Sequence, residues 1–217
     1  LARVAKANPM SLAEKIVPLI KPIPELEKVE VAGPGFINFT LRNDWLAQQV
    51  DAIRSERERF GSIDLGGGQK AQLEFVSVNP TGPLHVGHGR GAIMGDTLAN
   101  VLSAAGYRVE KEYYVNDAGG QIGAFYRSLW ARYREALGQA AEIPADGYHG
   151  SYVMDMAKEI IADKGDRFLK MPEPEAVAEI GVIGLKKVMD LIRSDLETVG
   201  VRFDVWFSEK GLYDNGQ

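Results

Sequence analysis

Between Ala71 and about Leu137 the chain alternates two kinds of hydrophobic pattern, and that alternation limits the fold more than any other feature. Ala71 to Val78 reads as a strand, Gly87 to Ala105 as a long helix closed by Gly106, and Tyr107 to Val115 as a second strand rich in Val and Tyr. The polar turn Asn116 to Gln121 then leads into a helix ending near Leu137. Strand, helix, strand, helix predicts a parallel sheet of α/β class with a ligand crevice at the carboxyl ends of its strands. Residues 138–174, with Pro144, Gly147, Gly150 and Pro172, read as a helical insertion; Glu175 to Val199 is again helical, and Phe203 to Phe207 is a further strand.

The first sixty residues follow a different plan. Met10 to Ile20 has helical spacing behind a Ser11/Glu14 capping box. Val29 to Ala32 and Phe36 to Leu41, joined by Gly33-Pro34-Gly35, predict a hairpin, and Asp44 to Phe60 is amphipathic through Trp45, Leu46, Val50 and Ile53. Residues 1–62 are therefore expected to form a small α+β domain, residues 63–69 with Gly66-Gly67-Gly68 a flexible linker, and residues 70–217 the larger domain. Charge divides along the same line: residues 1–60 hold nine Lys/Arg against eight Asp/Glu, whereas the whole chain has a net charge of −5. With no cysteine, a disulfide scaffold and any Cys-ligated metal site are excluded, and a cytoplasmic location fits. No apolar run approaches the ~18 residues of a membrane span, so no membrane partner is expected. The chain opens on Leu1 and stops just after an expected strand, so we expect a piece of something longer.

The richest stretch is Glu74 to Ala92, EFVSVNPTGPLHVGHGRGA. Gly87, Gly89 and Ala92 satisfy G-x-G-x-x-A, with Glu110 near the second strand, but a dinucleotide fingerprint needs its glycines in the tight turn after the first strand. Here eight residues separate Val78 from Gly87. His85 and His88 have the spacing of two metal ligands on a helix start, yet H-E-x-x-H is absent. The bland alternative is two ordinary histidines on a helix cap. A third reading builds a polyphosphate cradle: imidazole donors, free N–H groups and the positive end of a helix, with glycines at 87, 89 and 91 letting a nucleotide lie against the backbone. No Walker A sequence occurs, which excludes a P-loop enzyme.

The segment Pro-Leu-His85-Val-Gly87-His88 resembles the His-x-Gly-His signature of class I aminoacyl-tRNA synthetases. Glu74-Phe-Val-Ser77-Val-Asn79-Pro before it, Gly-Arg90-Gly after it and Tyr-Tyr-Val-Asn116-Asp117-Ala-Gly-Gly-Gln121-Ile downstream narrow the resemblance to arginyl-tRNA synthetases. Gly35-Phe-Ile-Asn-Phe-Thr-Leu41 is similar to the extra N-terminal domain of that family. The resemblance covers nearly the whole chain. It implies the first half of a Rossmann-like nucleotide-binding domain with a helical insertion, behind a small tRNA-contacting domain. It also implies activation of L-arginine by ATP with Mg2+ to arginyl-adenylate, transfer to the terminal ribose of a tRNA, and no tightly bound cofactor. In this light His85 and His88 are catalytic and, with Gly87 and Gly89, bind ATP; Glu74, Ser77, Asn79, Asn116, Asp117 and Gln121 bind arginine.

Each assignment has a structural alternative. Glu74 in an apolar strand is either one half of a structural ion pair or a carboxylate awaiting a cationic ligand. Asn79 before Pro80 is also a turn residue, and Asn116 or Asp117 also suits the N-cap of the next helix. The second nucleotide signature of class I enzymes, Lys-Met-Ser-Lys or a variant, is absent, so the polypeptide is expected to be inactive alone. The rival functions are a dinucleotide-dependent oxidoreductase and a free-standing RNA-binding module on residues 1–60; ligand preference among ATP, NAD(P) and RNA separates them.

Overall fold

The computed structural model describes residues 1–214. The chain divides into two compact units, Leu1–Ser62 and the residues from Ile63 onward. In the first, helices α1 (Ala2–Ala5) and α2 (Pro9–Ile16) precede an antiparallel hairpin of β1 (Leu26–Ala32) and β2 (Phe36–Leu41), and α3 (Asn43–Glu56) follows. The register pairs Val29 with Phe39 and Val31 with Ile37. Helix α2 starts earlier than the Ser11/Glu14 box implies. Asn8 is its cap, with Oδ1 accepting from the main-chain N–H of Met10 at 2.9 Å, and Pro9 occupies the first helical position, where its fixed φ suits the helix and its missing N–H costs nothing.

The second unit carries a three-stranded parallel sheet in the order β3 (Lys70–Glu74), β4 (Arg108–Val115), β5 (Val205–Ser208). Helix α4 (Val86–Ala104) links β3 to β4; α5 (Gly120–Ala136), α6 (Ser151–Lys164) and α7 (Glu173–Thr198) lie between β4 and β5, and α8 (Glu209–Asp214) follows β5. Strand β3 is an edge, paired on one side only. On α4, Ala92 and Ala99 are buried, while Met94, Leu98 and Val101, at i, i+4 and i+7, stay exposed. An open sheet edge with an apolar helix stripe left uncovered is the state of half an α/β sheet.

The first strand is shorter than its apolar run. It ends at Glu74, because Val76 and Ser77 take left-handed backbone conformations, φ 66° and 44°, that break the pleat. For a β-branched valine this is strained and must be held by its surroundings. Ser77 helps hold it: its hydroxyl accepts the Tyr114 N–H at 3.1 Å, filling the ladder position that the kinked backbone vacates.

The glycine-rich stretch 63–69 is not the flexible tether that its composition implies. Ile63 N–H donates to Ala104 O at 2.8 Å, Gly66 N–H to Ala105 O at 2.8 Å and Gly68 N–H to Gly106 O at 2.9 Å. These are the carbonyls that the end of α4 leaves without intrahelical partners, so the segment docks as their cap and belongs to the second unit. Gly66 is buried; a Cβ there would stand 2.6 Å from the Tyr107 ring.

Most of the core lies among α5, α6 and α7, where Phe125, Leu129, Tyr133, Val153, Ile160, Ile180 and Ile192 are fully or almost fully buried. Helix α7 approaches α5 closely because Gly181 and Gly184 face it; Cβ atoms there would fall 2.1 Å from Tyr126 and 2.3 Å from Leu129. Within 138–174, α6 and the short turn Arg167–Lys170 precede the start of α7, and α6 packs against α5 as part of this core.

Candidate functional site

The eleven residues Phe75–His85 between β3 and α4 have no regular structure, yet they are held at several points. Phe75 N–H reaches Glu112 O at 3.3 Å. The Tyr113 hydroxyl accepts Val78 N–H at 3.2 Å and donates to Val78 O at 3.1 Å; the Tyr152 hydroxyl donates to Thr81 O at 2.6 Å. Burial pushes both phenols up to about 12, so they stay protonated donors at any physiological pH. The loop and His88 form one wall of a cleft of about 480 Å³, and Tyr148 and Tyr152 form the other.

His85 and His88 cap α4 reciprocally. His85 Nδ1 accepts Gly87 N–H at 3.1 Å, His88 Nδ1 accepts His85 N–H at 3.3 Å, and the rings stack with centroids 3.5 Å apart. Two consequences follow from the donor inventory. With Nδ1 accepting, each neutral ring carries its proton on Nε2, so each offers one N–H donor on the far side. The free main-chain donors expected at this helix start are largely used, since His88 and Gly89 N–H both go to His85 O, at 2.9 and 3.1 Å. A phosphate group here would meet imidazole N–H groups more than backbone. Partial burial, then the nearby His85, holds His88 below the usual histidine range.

The glycines divide. A Cβ on Gly87 would touch His85 Cε1 at 2.9 Å, so its small size has a local reason, whereas Gly89 and Gly91 face open space. The glycines sit inside the start of α4, which an eleven-residue loop separates from the strand, and this removes the tight turn that a dinucleotide fingerprint needs.

The remaining candidates gather at the carboxyl ends of the strands. Asn79 Nδ2 donates to Gln121 Oε1, joining the signature loop to the start of α5. Asn116 follows the last residue of β4, and neither it nor Glu74 makes a side-chain hydrogen bond among the described residues. Glu74 is exposed on the edge strand and has no ion-pair partner among the described residues. Asp117 does not cap α5, whose N-cap is Gly119; it reaches across to α8, accepting Ser208 Oγ–H at 2.7 Å and Lys210 N–H at 2.8 Å. Burial raises the Tyr114 pKa, and Glu209, Tyr213, Asp117 and Glu74 raise it further, which marks a negative field around that ring. One Glu209 oxygen is buried without a hydrogen-bond partner.

Sequence reasoning missed Tyr113, Tyr152 and Glu209. Only the last had a local signal, the Ser208-Glu209 pair that caps and opens a helix directly after a strand. A larger hollow of about 720 Å³, walled by Tyr126, Trp130, Pro174 and Val177, shares none of the candidate residues.

Residues 49–215 match the family described as tRNA synthetases class I (R), catalytic domain, and residues 1–41 match the arginyl tRNA synthetase N terminal domain. The chain belongs to the class I arginyl-tRNA synthetase family. Among curated members, the arginine–tRNA ligases of Dehalococcoides mccartyi and Carboxydothermus hydrogenoformans are 50% and 46% identical over the whole chain. The chain spans 39% of the length of each. A solved candidate arginyl-tRNA synthetase from Campylobacter jejuni aligns with a TM-score of 0.70 and 34% identity over 80% of this chain and 38% of its own. The Thermus thermophilus arginyl-tRNA synthetase, 19% identical over 99% of this chain and 35% of its own, shares the fold at a TM-score of 0.55. The α/β sheet and the small N-terminal unit are thus those of the family. Among the described residues no helix is long and apolar enough to cross a membrane.

Proposed function

We propose that this chain carries the signature half of the activation site of an arginine–tRNA ligase. The substrates are ATP, entering with Mg2+, and L-arginine, with tRNA as acceptor and the cytoplasm as location. Residues 1–62 form the tRNA-contacting unit, and the residues from 70 onward hold the nucleotide and amino acid. The reciprocal histidine cap carries this reading: both Nδ1 atoms accept within the helix start, which leaves both Nε2 atoms free, and His88 lines a cleft at the carboxyl side of a parallel sheet.

In the reaction the arginine carboxylate attacks the α-phosphorus and pyrophosphate leaves. His85 and His88 donate to phosphate oxygens, and their bonds strengthen as charge builds in the transition state. Gly87 and Gly89 keep side chains away from the nucleotide, while Asn79, oriented by Gln121, and Ser77 hold the amino-acid head. At the far end, Glu74, Asp117 and Asn116 are the groups assigned to the guanidinium.

In the complete ligase, His88→Asn should lower kcat for arginine-dependent ATP–pyrophosphate exchange far more than it raises the ATP KM. Unchanged exchange in the His85→Asn/His88→Asn double variant would refute the assignment. Glu74→Gln removes a charge-assisted bond of roughly 1.5–3 kcal/mol, so the arginine KM should rise about ten- to a hundredfold. Because Glu74 is exposed and unpaired here, thermal stability should not change, and an unchanged KM would count directly against guanidinium recognition.

A further inference from the structure

The hydrogen bonds that fix the signature loop come from β4, from Gln121 at the start of α5 and from α6. Those at Phe75, Ser77 and Val78 come from neighbouring β4. Past Asn79 the support changes, and the hold on Thr81 comes from Tyr152 at the start of α6, 71 residues away in sequence. Thr81 is 7% exposed, so its carbonyl has little water to turn to. The Tyr152 ring sits in a slot made by two glycines: a Cβ on Gly82 would stand 3.0 Å from its hydroxyl, and one on Gly150 would stand 2.4 Å from its Cε1. A ring so confined, with a short bond to a main-chain oxygen, sets the place of Thr81–Gly82 and hence the direction in which the chain enters α4.

We infer that Tyr152 is a positioning residue for the activation site: its hydroxyl, through Thr81 O, sets the approach of His85 and His88 to the cleft. The segment 138–174 is then part of the catalytic apparatus. This inference rests on the activation reading above. Its ring also lines the cleft, and the role inferred here belongs to the hydroxyl, which is bonded to Thr81 O and acts through the loop.

The test is Tyr152→Phe, which keeps the ring in its slot and deletes only the oxygen. In the complete ligase, arginine-dependent ATP–pyrophosphate exchange, measured well below the variant's melting temperature, should lose about ten- to a hundredfold in kcat, while the ATP and arginine KM values move less than about threefold, because misplacing a catalytic group costs mainly in the transition state. In the 217-residue chain itself, the imidazole NMR signals of His85 and His88 should shift. A folded variant with wild-type kcat, or with unmoved histidine signals, would overturn the inference, as would a change confined to KM. A wild-type ligase showing no arginine-dependent exchange would bring down the activation reading and this inference together; an active wild type matched by Tyr152→Phe would bring down this inference alone.

Discussion

The two units spend their apolar residues differently. Among the described residues of Leu1–Ser62, Ala13 is the single buried side chain, at 3% exposure, while Phe36, Phe39, Leu46, Val50 and Ile53 are all exposed. In the larger unit Phe125, Leu129, Tyr133 and Ile180 are at 0%. Both sequences are amphipathic, so a pattern tells which face is apolar and leaves open what covers it. At about sixty residues a unit buries too little surface to be more than marginal by itself, whereas three packed helices against a sheet close a core.

The contrast is sharpest in core substitutions. Leu129→Ala should cost about 3–5 kcal/mol, because it opens a cavity between α5 and α7 where Gly184 already presses on the leucine. Val50→Ala, on the open face of α3, should stay within about 0.5 kcal/mol. Urea unfolding of the two variants measures both; equal losses would erase the distinction. A middle-sized effect concerns the small unit. Without burial to hold it, α2 should depend on its cap, so Asn8→Ala should cost the helix roughly 1 kcal/mol. Amide exchange in residues 9–16 should then speed up while the main unfolding transition stays in place; a shifted main transition would mean that the units unfold as one.

The smallest effect is electrostatic and concerns His88 in the larger unit. His88 is depressed below its ordinary value of 6.5, so the folded protein binds its proton less readily than the unfolded chain. Its contribution to stability is therefore full above that value and is lost as pH falls through the depressed one. An NMR titration should place the His88 midpoint below 6.5, and a midpoint at or above it would contradict the burial argument.

Legibility in the sequence followed the range of the interaction. Helices α4, α5 and α7 and strand β4 were readable within a residue or two, because periodicity is local. The end of β3 was not, since nothing in Phe75-Val76-Ser77 announces a left-handed valine; the kink is imposed by contacts with β4. Gly66-Gly67-Gly68 looked like a tether because composition cannot show that the open end of α4 lies beside it. In the site, spacing set His85 and His88 at the start of α4 but left their role open among ordinary cap, metal ligand and phosphate cradle. The tyrosines that pin Val78 and Thr81 lie 35 and 71 residues from their partners, and Asp117 lies 93 from Lys210. The start of α2 is a plainer miss, as Asn8-Pro9 is itself a helix-start signal.

The reciprocal cap leaves each imidazole a choice between two chemical states. A proton on Nδ1 would give the ring a full positive charge, the stronger partner for a phosphate, but it would also turn an N–H acceptor into a donor facing another donor and unfasten the first turn of α4. The cap is thus fastened through Nδ1 lone pairs that a proton would occupy. The two demands on such a ring oppose each other: the charge that would draw an anion most strongly is the charge that would loosen the helix start carrying it.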